Sequence, residues 1–174
     1  MNNHQENTNQ NTTFAAAMHL SVFSKYFIPF GNFIFPMLLW LGRKEDPFID
    51  RHGRNALNFQ ISTFLYMVLI ICLGIFAALF FGFKFSHNDS FYFNQDHVRF
   101  DEFSAAFPFI MVMIIVGLLL FGLFVLELFA VINAAIKASD GEDYKFPITI
   151  NFLGSPDKKL NSEENKYDSN VESI

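Results

Sequence analysis

The chain has 174 residues, is 52% hydrophobic with 25 Phe, and carries a net charge of −5 with a pI near 5.4. An acidic chain lacks the basic surface needed to neutralise phosphates, which excludes a nucleic-acid partner. A soluble domain this apolar would disperse its apolar residues; here they are blocked into runs, so the lipid bilayer is the expected surroundings.

Residues 1–13, "MNNHQENTNQNTT", hold no Lys or Arg for a signal-peptide n-region and read as a disordered polar tail. Residues 14–42 are apolar but punctuated by Lys25, Pro29, Gly31, Asn32 and Pro36. That pattern predicts two short helices, about 14–27 and 33–42, broken at "IPFGN". They either cross the bilayer as a hairpin or lie partly in its interface.

Asp46 followed by Pro47 predicts an N-cap and a helix over 47–83, with no charged residue from Ala56 to Phe83. A further helix is expected over 103–138, where Glu127 is the one charged residue up to Ile136, and Asp140-Gly141 ends it. Both runs exceed the roughly 20 apolar residues of a membrane span. The outer connector 84–102 is rich in aromatics (Phe91, Tyr92, Phe93, Phe100), which fits a loop resting on headgroups. Alternation of Ile148, Ile150 and Phe152 predicts a strand-like interfacial segment over 144–153, and 154–174 reads as a disordered polar tail. The expected fold is an all-α integral membrane protein. Residues 14–153 form its membrane domain, a small bundle of three to four membrane helices with the first pair short and Pro/Gly-broken.

Lys and Arg concentrate in 43–54 (Arg43, Lys44, Arg51, Arg54) and after the last helix (Lys137, Lys145). The positive-inside bias places both on the cytoplasmic side of the membrane, with a multi-pass topology and a cytoplasmic C-terminus.

The stretch "PFIDRHGRNALNFQIS" (47–62) carries polar groups into the bilayer. Arg51, Asn55, Asn58, Ser62 and Tyr66 recur at helical spacing and line one face, with Gln60 off that stripe. Glu127 falls at a similar depth on the antiparallel helix, and His19 can reach the same level. His19, Asn55, Asn58, Gln60 and Glu127 are therefore candidates for an intramembrane polar layer. Plain hydrogen-bonded packing between helices is the simpler reading of the same residues. Arg43, Lys44, Arg51 and Arg54 are expected at headgroups. Gly74, Ala78 and Gly82, and likewise Ala130, Ala134 and Ala138, recur every four residues as candidate helix-packing seams.

No phosphate-cradling loop, "GxSxG", "HExxH" or Cys/His cluster is present, and Cys72 stands alone. No catalytic residue, metal or cofactor is therefore expected.

Two blocks, "YFIPFGNFIFPMLLWLGRKEDPFIDRHGRNALNFQIS" and "INAAIKASDGEDYKFPITINFL", resemble the signatures of the bacterial domain-of-unknown-function 4870 membrane family. That family is Tic-twenty-like, grouped distantly with the chloroplast inner-envelope import component. The resemblance implies four membrane helices, an import-like or translocation-like role and no transferable catalytic residues. The expected function is a non-enzymatic scaffold or accessory component that binds other membrane proteins or itself. Its rival is a small transporter or channel subunit working through Glu127.

Overall fold

The computed structural model describes residues 2–88 and 100–154, with side chains over 9–83 and 107–154. The elements in chain order are α1 (Asn2–Leu20), a 3-10 helix (Ser21–Tyr26), α2 (Gly31–Arg43), α3 (Pro47–Asn88) and α4 (Phe100–Ser139). There is no strand among the described residues.

The N-terminal segment departs from expectation: α1 begins at Asn2 rather than after a disordered 1–13 tail. The segment contains no Pro or Gly to break it. Its side chains also bond to neighbouring backbone, with Thr12 and Thr13 hydroxyls donating to the Asn9 carbonyl at 3.0 and 2.9 Å. Asn11 donates to Asp46 at 2.6 Å, tying the helix to the start of α3. The helix expected over 14–27 tightens into a 3-10 helix at Ser21, whose hydroxyl donates to the Met18 carbonyl at 2.6 Å. The chain then turns through Phe27–Phe30, and Phe30 takes a left-handed φ of 61°. Gly31 follows because nothing larger fits: a Cβ there would lie 2.6 Å from Ser24 Oγ and 2.8 Å from Ser24 C.

At about 1.5 Å per residue, the 13 residues of α2 extend only about 20 Å, short of a hydrocarbon core about 30 Å thick. Among the described residues two helices, not three or four, are long and apolar enough to cross a membrane: Pro47–Phe83 and Phe107–Ser139. α3 starts where Asp46 Oδ1 accepts the amides of Phe48 and Ile49 at 2.9 and 3.1 Å, with Pro47 at the first helical position. α4 ends on Gly141 at φ 78°, whose amide reaches the Ala138 carbonyl while Glu142 N–H reaches that of Lys137. α3 extends to Asn88 and α4 begins at Phe100, so most of the expected connector 84–102, with its aromatic character, lies outside the described residues. The C-terminal tail from 155 onward lies outside them too.

The chain divides into two units, and both α3 and α4 run through the division. Unit 2, Phe64–Leu126, holds the two apolar stretches 64–83 and 107–126. Neither stretch contains a charged residue, and none of their residues is buried. Large apolar side chains that face outward along two long helices identify lipid, not a protein core, as their surroundings. Within this unit a Cβ on Gly74 would meet Val116 Cγ2 at 2.8 Å, a close approach of the two helices. Gly82 has open space around it, so the expected Gly74–Ala78–Gly82 seam is not a contact at Gly82.

Unit 1, Met1–Thr63 with Glu127–Ile174, holds every buried residue of the described chain. Ala15, Met18, Ile49, Phe59, Val131 and Ala134 are at most 1% exposed. Ala130 and Ala138 are buried beside them, so the second small-residue seam is core. Phe59 stacks on Phe146 at 4.3 Å between centroids, which holds the chain after α4 against α3. That chain, 144–153, is irregular and not strand-like. Ile148 adopts a left-handed φ of 55° after Pro147, which breaks the alternation expected of it.

Gly53 packs under Trp40, where an added Cβ would lie 2.3 Å from Cδ1 of the indole. Gly53→Ala is expected to destabilise unit 1 by about 1–3 kcal/mol through overpacking. Denaturation followed by Trp40 fluorescence measures this, with Gly82→Ala as the control expected to leave the midpoint in place.

Candidate functional site: the polar face of helix α3

The residues from Asp50 to Ser62 hold two faces of α3. On the first, Arg51, Asn55, Asn58 and Ser62 follow one another at steps of four, three and four, and the chain after α4 lies along them. Asn55 Nδ2 donates to the Tyr144 carbonyl at 3.2 Å. Asn58 Oδ1 accepts the amides of Phe152 and Leu153 at 3.1 and 2.9 Å. Ser62 Oγ accepts the amide of Ile150 at 2.9 Å and donates to the Asn58 carbonyl at 2.7 Å. Arg51 pairs with Asp143 at 3.1 Å, and Arg54 Nη1 donates to the Leu153 carbonyl at 2.7 Å. An irregular segment has backbone groups with no helical or strand partner, and buried ones must be satisfied. The stripe on α3 satisfies the amides of Ile150, Phe152 and Leu153 and the carbonyl of Tyr144.

The second face meets α2. Gln60 Oε1 accepts from Asn32 Nδ2 at 2.9 Å. Trp40 Nε1 donates to Asp50 Oδ1 at 2.8 Å, while Arg54 Nε donates to Asp50 Oδ2 at 2.9 Å. The Arg54 guanidinium also sits 5.5 Å from the Trp40 ring centroid. Arg54 is therefore a structural clasp as well as a basic group. Arg43 lies 4.6 Å from the Phe14 ring, and Lys44 is exposed.

Glu127 does not join Asn58, Gln60 or His19. Its Oε2 accepts from Lys25 Nζ at 2.6 Å, in a pair that is 24% and 11% exposed at its two side chains. Both are the sole Lys, Arg, Asp or Glu of their apolar runs, 14–42 and 103–136. That opposite-charge coincidence is the sequence signal that identifies the pair, because an isolated charge in an apolar run must find a counter-charge.

His19 meets His52, the two rings being joined by Nε2···Nδ1 at 2.9 Å with both side chains 1% exposed. Asp143 Oδ1 lies 3.7 Å from His52 Nε2. That carboxylate favours a proton on His52 Nε2, leaving Nδ1 to accept from His19 Nε2–H. Phe48, its ring tilted 56° at 4.4 Å from His52, and Phe146, 5.6 Å from His19, flank the pair. Neither Asp143 nor the returning backbone carries a marked motif of its own. Among the described residues no three His, Cys, Asp or Glu converge to hold a metal.

With that geometry in place, comparison with known proteins becomes informative. Residues 10–153 match the MamF/MmsF family, described as a magnetosome magnetite crystal formation protein family. The chain belongs to the MamF/MmsF family. This corrects the resemblance to the domain-of-unknown-function 4870 and Tic-twenty-like families, because the matched family is a different one and spans both signature blocks. Compared with curated proteins and with solved structures, the chain has no significant match in either. Its place in the MamF/MmsF family and its two apolar helices make it a small membrane protein.

Removing the Asn58 acceptor frees the Leu153 amide and leaves the Phe152 amide with the Ile150 carbonyl at 3.1 Å. In Asn58→Ala, amide hydrogen exchange at Leu153 is expected to accelerate about tenfold, from about 1 kcal/mol lost at a part-buried hydrogen bond, and at Phe152 by less. Unchanged exchange there would show that the segment is held by its aromatic contacts alone.

His19 on α1 is pushed down to about 3, first by burial and second by His52. Its folded pKa lies below the ordinary 6.5, so the unfolded chain binds the proton more readily. The stability of the neutral pair is full above about pH 6.5 and falls as the pH drops toward 3. Unfolding midpoints of detergent-solubilised protein, read by Trp40 emission, should decline across that window, and His19→Gln should flatten the decline.

Proposed function

We propose that this protein is a non-enzymatic accessory component of a bacterial membrane that supports magnetite crystal formation. The observation that carries the reading is the family match over residues 10–153. The arrangement of unit 1 supports it: most of its polar side chains hold its own backbone and helices together, as in a rigid platform and unlike a substrate cleft. Its partners are the lipid bilayer and other membrane proteins or further copies of itself. The Lys and Arg bias argues for unit 1 on the cytoplasmic side.

A transport role around Glu127 is less well supported, because its carboxylate is neutralised by Lys25 at 2.6 Å. Glu127→Gln separates the two: a transporter should lose pH-dependent uptake in proteoliposomes, whereas a platform shows no such uptake in either form.

The deciding experiment replaces the resident family member of a magnetite-forming bacterium with this chain. Crystal size and number are then measured by electron microscopy. Crystals restored toward the parental distribution are expected. Correct membrane insertion with crystals still like those of the deletion strain would sink the proposal.

A further inference from the structure

The face of unit 1 formed by Tyr26 at the end of the 3-10 helix, the Phe27–Phe30 turn and α2 up to Gly42 is apolar, uncharged and exposed. Between Tyr26 and Gly42 there is no charged residue. Phe27 is 88% exposed, Phe30 64% and Leu38 57%, with Ile34, Phe35 and Leu41 exposed beside them. The opposite side of α2 is committed to the protein, through buried Gly31 and Pro36, Asn32 on Gln60 and Trp40 on Asp50. α2 is thus amphipathic, with its apolar side turned away from its own core. A soluble surface rarely carries a contiguous apolar patch of this kind without an occupant.

Chain continuity says what the occupant is. The apolar stretch 64–83 begins directly after Thr63, and 107–126 ends directly before Glu127, with no linker on either helix. At about 1.5 Å per residue each stretch of 20 residues covers about 30 Å, the whole hydrocarbon thickness. Two crossings return residues 63 and 127 to the same side, so α3 and α4 leave the hydrocarbon at one surface. α2 is too short to cross, and the turn at Phe27–Phe30 is too apolar to be left in water. Exposed Arg43 and Lys44 at the end of α2 suit anionic headgroups.

We infer that the exposed apolar face of the 3-10 helix and α2 is inserted into one leaflet, the one that α3 and α4 enter at residues 63 and 127. It lies in the plane of the headgroup and acyl-chain boundary, as amphipathic interfacial helices do. The protein then holds the membrane by two crossing helices and one monotopic face. Asn58, Gln60 and Glu127 lie at the edge of the hydrocarbon and not within it.

The test uses the full chain with Cys72→Ser, carrying a single new cysteine at Phe27→Cys or, as a second position, Leu38→Cys. Lys44→Cys serves as the water-exposed control, and unchanged Trp40 emission verifies that each variant is folded. Each is reconstituted into sealed phosphatidylethanolamine/phosphatidylglycerol vesicles. It is probed with a membrane-impermeant maleimide from each side, then with a thiol-linked fluorophore against phospholipids bearing a nitroxide near the headgroup or near the chain end. Labelling at 27 and 38 about tenfold or more slower than at 44 from either side, with stronger quenching by the headgroup-proximal nitroxide, is expected. Labelling of position 27 from the side opposite to position 44 would overturn the inference in favour of a transmembrane hairpin. Rapid labelling from the same side as 44, without nitroxide quenching, would overturn it in favour of a face covered by water or by protein.

Discussion

A backbone that leaves regular structure beside an apolar medium must have its N–H and C=O groups satisfied by something. In this protein the demand falls on residues 144–153, which follow α4, pass through Pro147 and adopt a left-handed turn at Ile148. Asn58 takes two of their amides on one oxygen, Ser62 takes a third, and Asn55 and Arg54 supply donors to two carbonyls. Once that segment is held, Phe146 is placed against Phe59 and His19, and Asp143 against Arg51 and His52. Most polar contacts along that face follow from one stripe of short polar side chains on a single helix.

The division into two units has a simple physical origin. Along 64–83 and 107–126 the helices expose large aliphatic and aromatic side chains on every side, which only lipid tolerates. Before residue 64 and after residue 126 the same helices acquire small and polar residues, and many of these are buried. Ala130, Ala134 and Ala138 let α4 approach its neighbours, and Gly53 admits the Trp40 indole.

Much of the architecture is legible in residue order. The Asp46-Pro47 start of α3 and the Asp140-Gly141 end of α4 are local events, set by an acceptor side chain and a left-handed glycine next to the residues they serve. The membrane character is legible because it depends on composition over 20 residues, not on contacts. The two short leading helices were harder, since Pro and Gly report a break without reporting whether the flanking pieces cross or lie flat. Equal depth along antiparallel helices points to one layer of His19, Asn55, Asn58, Gln60 and Glu127, whereas rotation about the helix axis gives them separate hydrogen-bond partners: His52, the Tyr144 carbonyl, the 152–153 backbone, Asn32 and Lys25.

By itself the sequence determined that this is a helical membrane protein, where its apolar stretches lie, where α3 starts and α4 ends, and which polar residues cannot face lipid. Those properties depend on neighbours within a few positions of the chain, or on summed hydropathy. Tertiary structure alone decided that Glu127 pairs with Lys25, that two histidines 33 positions apart share a hydrogen bond, and that the stripe on α3 holds a segment about 90 residues downstream. Such pairings depend on how a returning chain is rotated and placed against a helix, and residue spacing carries the period of a face but not the identity of what packs on it.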